Sequence, residues 1–207
     1  METTALITAF VALLVIIDPI GLTPIYVSLT RGMDPRKRRS VGLRACLTAI
    51  GLLTLFGIFG DAVLDFIGIS MPAFRIAGGI LLFLTALEML FERRTKRRED
   101  RTDEDHNADP SVFPLAMPLI AGPGAMATMV LLAGAPGIGW PEILAMHLVM
   151  IAVIAVVFVF FLSANLLERA LGPTGINLLT RLFGMLLAAL SVQFVIDGVR
   201  ESIMAAA

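Results

Sequence analysis

Two dipeptides in this chain sit where they could do chemistry: Asp18-Pro19, in "VIIDPIGLTPIY", and Gly122-Pro123, in "LIAGPGAMATMV". Each interrupts an apolar run. Proline lacks an amide hydrogen and clashes with the preceding turn, so it kinks or breaks a helix. It is favoured at the first position of a new helix, where Asp or Gly is an acceptable cap. The pairs therefore read as caps, Asp18 and Gly122, of half-helices that begin at Pro19 and Pro123. Such a break leaves amides at one helical end and carbonyls at the other. The amide end suits a carboxylate and the carbonyl end an ammonium, so two facing breaks could hold both ends of a small zwitterion. Gly21, Gly124 and Ala125 leave the backbone uncovered, Thr23 and Thr128 offer hydroxyls, and Pro24 completes the candidate binding set. Tyr26 is the one large aromatic nearby, which points to a small ligand.

A lone proline kink is ordinarily structural; the matched pair is what argues for a site. Asp18 has three candidate roles here, as helix cap, ammonium partner or proton acceptor. A carboxylate at the centre of a membrane helix costs about 2.5–3.5 kcal/mol on insertion scales.

The elements that must position these residues follow from composition. The chain is 57% hydrophobic and 16% charged, with a mean hydropathy of +0.89. A soluble domain carries about a quarter charged residues, so the excess of long apolar stretches marks an all-α membrane protein. A span needs about 20 residues. Six segments qualify: Thr3–Thr30, Ala45–Phe66, Pro72–Phe91, Val112–Ala133, Ile143–Leu167 and Leu178–Val199. The opening "METTALITAF" has no basic flank and does not read as a cleaved signal. Net charge is −1, which by itself says nothing about nucleic acid, and no nucleic-acid partner is expected. The single Cys46 excludes an internal disulfide, and with two scattered histidines it supplies neither a thiol pair nor a metal cluster. No enzymatic activity and no cofactor are expected; small-molecule substrate and membrane lipids are the expected partners, and a homo-oligomer is left open.

Lysines and arginines orient the spans. Arg31, Arg36, Lys37, Arg38, Arg39 and Arg44 fill the first loop, and Arg93, Arg94, Lys96, Arg97, Arg98 and Arg101 the third. The second and fourth loops carry none. The pattern places the basic loops 31–44 and 93–101 in the cytoplasm and both termini outside. The charged linker 93–110 reads as flexible, dividing one integral domain, 1–207, into halves 1–92 and 111–201.

The halves echo each other. Pro19 and Pro123 are 104 residues apart, as are Gly68 and Gly172, while Arg75 and Gly78 match Arg181 and Gly184 at 106. Three spans per half require the second half to enter from the opposite side, giving inverted repeats with helices 1 and 4 interrupted at the midplane. That architecture is typical of secondary transporters. Arg75 with Asp61 and Asp65 near one face, and Arg181 with Glu168 near the other, form either a pair of alternating gates or interfacial arginines that snorkel to water. Gly78, Gly79 and Gly184 are expected to allow close helix packing. His147 receives no role.

Together "IDPIGLTPIYVSL", "DPRKRR", "GISMPAFRIAGGILLFLTALEMLF", "FPLAMPLIAGPGAMATMVLL" and "RLFGMLLAALSVQFVIDGV" resemble the MarC/SnatA family of six-span membrane proteins, across nearly the whole chain except the acidic linker. The resemblance implies a prokaryotic cell-membrane location and transport, mainly export, of small neutral amino acids such as alanine or glycine. Many members carry Asn where this chain has Asp18. The expected function is a secondary carrier of such amino acids, with proton or sodium as the possible coupling ion. The alternative is a channel or carrier for another small solute.

Overall fold

The computed structural model describes residues 3–91, 109–134 and 138–206, without the side chains of residues 168, 169, 173, 205 and 206. Most of the expected linker and the side chain of Glu168 thus lie outside the described residues. Eight helical elements follow in order: α1 (Thr3–Ile17), α2 (Pro19–Leu29), α3 (Pro35–Ile67), α4 (Met71–Leu90), α5 (Ser111–Ile120), α6 (Pro123–Ala133), α7 (Trp140–Leu162) and α8 (Ala164–Ala206). No strand occurs among the described residues. Five stretches are long and apolar enough to cross a membrane, with α1–α2 counted as one, and α5–α6 makes a sixth if its bent halves form one span.

Local chemistry sets the ends. The Asp34 carboxylate accepts from the Arg36 and Lys37 amides at 2.9 and 3.1 Å, with Pro35 at the first helical position. The basic stretch is therefore helical, and α3 begins ten residues before the expected Ala45. Gly68, at φ 81, ends it in the left-handed region that glycine tolerates. α7, the expected fifth span, stops at Leu162 rather than Leu167, because the chain re-caps at Ser163. Gly172 (φ 60, ψ 175) interrupts α8, whose apolar part runs Thr174–Met204 rather than Leu178–Val199.

Side chains such as Leu13, Leu53, Leu82, Met150 and Phe161 are fully buried between helices, while Phe66, Leu144 and Leu186 point outward. A water-soluble bundle avoids that much exposed apolar surface, whereas lipid accepts it. Near the basic turn, Tyr26 stacks on Phe161 with ring centroids 4.2 Å apart and donates to the Arg38 carbonyl at 2.8 Å. Arg38 in turn donates to Asn165, tying α2, α3 and α8 together.

α4 and α8 cross antiparallel and very closely. A Cβ on Gly79 would lie 2.8 Å from the Ser191 carbonyl and 2.8 Å from Val195 Cγ2. A Cβ on Gly184 would lie 3.2 Å from the Ala86 carbonyl and 3.3 Å from Leu90 Cγ. The contact is reciprocal: Gly79 and Gly184, Ala86 and Ser191, and Leu90 and Val195 are each 105 residues apart.

Candidate functional site

At the first break, α1 continues its hydrogen bonding into Asp18, whose amide donates to the Leu14 carbonyl at 3.0 Å. Asp18 then takes a left-handed conformation, φ 57 and ψ 67, and is the only non-glycine residue with positive φ among those described. That conformation costs an L-residue roughly 1–2 kcal/mol. Part of the cost is offset because Oδ1 accepts from the Gly21 amide at 3.0 Å, capping α2. The residue is 0% exposed, and Oδ2 has no hydrogen-bond partner among the described residues. A buried unpartnered carboxylate oxygen is costly. Gly21 is required beside it, since a Cβ there would lie 2.2 Å from Oδ2.

The second break is built differently. Phe113 and Met117 leave helical geometry for φ near −125 and ψ 126, each before a cis proline. Residues that precede proline favour this extended region. The α5 and α6 axes then bend by 58°. Gly122 is extended (φ −79, ψ 168), Pro123 opens α6, and no side chain caps the turn. The first-turn amides of Gly124 and Ala125 belong to buried residues at the positive end of the helix.

The fold brings the two breaks together. Ile16 Cγ2 and Leu82 Cδ2 would lie 3.5 and 3.1 Å from a Cβ on Gly124. Thr128, one turn into α6, is fully buried, and its hydroxyl has no partner among the described residues. Two expectations change. Thr23 donates its hydroxyl proton to the Pro19 carbonyl at 2.9 Å, so it is not a free donor. The Gly21 amide is held by Asp18, so only the α6 end offers uncapped amides. Pro19 is buried, while Pro24 and Gly122 are half-buried and Pro123 is exposed.

The expected gates are also rearranged. Arg75 pairs with Glu201 on α8, not with Asp61 or Asp65, which are exposed on α3. Arg181 is exposed on α8. Glu201 was missed because it lies 126 residues from Arg75, and no local pattern marks the partner. His147 was also undervalued. It is buried, its Nδ1 lies 2.7 Å from the Ile143 carbonyl, and its Nε2 faces Gly57 without a partner among the described residues.

A carbonyl can only accept, so Nδ1 carries the proton in that contact. Among the described residues, no group of three or more His, Cys, Asp or Glu side chains could hold a metal ion.

Comparison with known proteins identifies the family of the chain. The chain is 37% identical to a UPF0056 membrane protein of Aquifex aeolicus, over 94% of this chain and 92% of the relative. It is 33% identical to one of Methanocaldococcus jannaschii, over 99% and 100%. It is 34% identical to the UPF0056 inner membrane protein YhgN of Escherichia coli, over 94% and 96%. No solved structure matches the chain. Residues 3–203 match the family described as MarC family integral membrane protein, and the chain belongs to that family.

Proposed function

We propose that this protein is a secondary carrier, most simply an exporter, of small neutral amino acids such as alanine or glycine. The observation that carries the reading is Asp18: a fully buried carboxylate at a helix break, with Oδ2 unpartnered among the described residues. A substrate ammonium would satisfy that oxygen by a charge-assisted hydrogen bond. The uncapped α6 amides of Gly124 and Ala125 would hold the substrate carboxylate. Ile16 and Leu82 pack closely on Gly124, which is in keeping with a small substrate. Asp18 is equally the residue at which a coupling proton or sodium would bind.

The working cycle is alternating access between two inverted halves, 1–92 and 111–201, with the two breaks at the membrane midplane. The reciprocal Gly79 and Gly184 contacts support a two-fold relation between α4 and the end of α8. The basic stretch Arg31–Arg44 would face the cytoplasm, with both termini outside.

Reconstituted protein should carry radiolabelled L-alanine or glycine by saturable exchange. Asp18→Asn, close in shape, should lower flux about tenfold or more, the equivalent of one charge-assisted hydrogen bond. Unchanged flux in Asp18→Asn would remove the site, and single-channel currents in place of exchange would replace the carrier with a pore.

A further inference from the structure

At the face opposite the basic turn, a cavity of about 340 Å³ opens between the starts of α1, α4 and α7 and the ends of α6 and α8. That is the lower end of the range for small-molecule pockets, about 300–1,000 Å³. Leu131, Met146 and Phe194 give it apolar walls, and Arg75, Glu142 and Asp197 give it charge. The Arg75 side chain is only 14% exposed. One of its nitrogens, Nη1, is engaged by Glu201, and a guanidinium carries five N–H donors in all. Asp197 takes one hydrogen bond from Gln193 at 2.8 Å, and Glu142 one from the Gly139 amide at 3.1 Å. Each carboxylate keeps acceptor capacity.

One guanidinium with donors to spare, beside carboxylates that can still accept, matches neither a simple anion nor a simple cation. We infer that this cavity is a second, outer binding station for a zwitterionic amino acid, with the α-carboxylate on Arg75 and the α-ammonium on Asp197 and Glu142. The apolar walls receive an aliphatic side chain. The inference rests on the amino-acid carrier reading and adds to it a vestibule site, distinct from the breaks.

The test uses the full chain in detergent. Its only tryptophan, Trp140, is 73% exposed and lies two residues from each of the cavity residues Ile138 and Glu142 in sequence, so its emission is the probe chosen for binding there. Equilibrium dialysis with radiolabelled L-alanine should find a saturable site that survives Asp18→Asn and still moves Trp140 emission. Adding Arg75→Gln and Glu201→Gln together removes the ion pair without orphaning either charge, and should weaken that site at least tenfold, as expected for about 1.4 kcal/mol. Arg75→Lys, which keeps the pairing, should weaken it less. An Asp18→Asn protein that binds no L-alanine overturns the vestibule site, as does a triple variant that binds like Asp18→Asn. Acetate displacing L-alanine as well as glycine does would overturn the zwitterion assignment. Absence of L-alanine flux in the wild type, with this site still titrating, would remove the carrier reading and with it the vestibule role, while the zwitterion-binding cavity itself would stand.

Discussion

The two helix breaks solve one problem by opposite means. At Asp18 a single residue turns left-handed, its own carboxylate caps the following helix, and the span continues through Thr3–Leu29 without a large bend. At Gly122 no side chain caps the new helix, Pro114 and Pro118 disrupt the preceding segment, and the axis turns by 58°. The first break is therefore fixed locally and is electronegative. The second is fixed by its surroundings and keeps its amides uncapped. Ile16, two residues before Asp18, lies against Gly124, so the two breaks pack side by side with opposite electrostatic character.

The contrast can be broken most forcefully at Gly21. Gly21→Ala drives a methyl group into Asp18 Oδ2, and should cost about 3 kcal/mol or more in thermal or denaturant unfolding in detergent. Because the clash is with one side chain, Asp18→Gly in the same protein should recover most of the loss. Failure of that rescue would mean the first break is not locally determined.

Gly122→Ala should cost about 1–3 kcal/mol, since its Cβ would lie 2.6 Å from the Pro118 carbonyl. Here the obstacle is backbone, so no single side-chain change should relieve it. A rescue by truncating a neighbouring side chain would erase the distinction between the breaks.

A smaller effect sits upstream of the second break, at Asp109. Its Oδ1 accepts from the Ser111 hydroxyl at 2.7 Å and the Ser111 amide at 3.0 Å, and its Oδ2 lies 2.8 Å from Arg44. The two Ser111 hydrogen bonds hold the carboxyl below its ordinary 3.8; burial opposes them, and the Arg44 and Lys37 charges add smaller contributions in the lowering direction. A depressed folded-state value means the stabilisation is present above about pH 4 and lost as pH falls through the lowered value. Both partners of the ion pair are exposed, so Asp109→Asn should cost no more than about 1 kcal/mol at neutral pH. The wild-type advantage should vanish in unfolding curves recorded at progressively more acid pH. A persistent advantage at low pH would show that Asp109 anchors the second break by something other than its charge.

Much of this was legible in the sequence. The caps Asp18 and Gly122 and the starts at Pro19 and Pro123 follow from proline's missing amide and the preferences of the first turn, which act within four residues. The apolar stretches mark an integral membrane protein because transfer to hydrocarbon is a sum over about 20 neighbouring residues. Even the charged start of α3 was readable in principle, from Asp34-Pro35 as a cap and first position.

Tertiary structure alone decided the rest, because those features depend on contacts between residues far apart in the chain. Arg75 could have met Asp61 or Asp65 by proximity in sequence, and it meets Glu201 because α4 lies along α8. That Gly79 abuts Ser191 and Val195 while Gly184 abuts Ala86 and Leu90 became visible only where two helices touch. Likewise, Thr23 and the Gly21 amide looked like ligand donors until the fold engaged them, and the bareness of Asp18 Oδ2 appeared only with its burial. Sequence records which groups are present and how the chain begins and ends a helix; packing determines which of those groups is left without a partner.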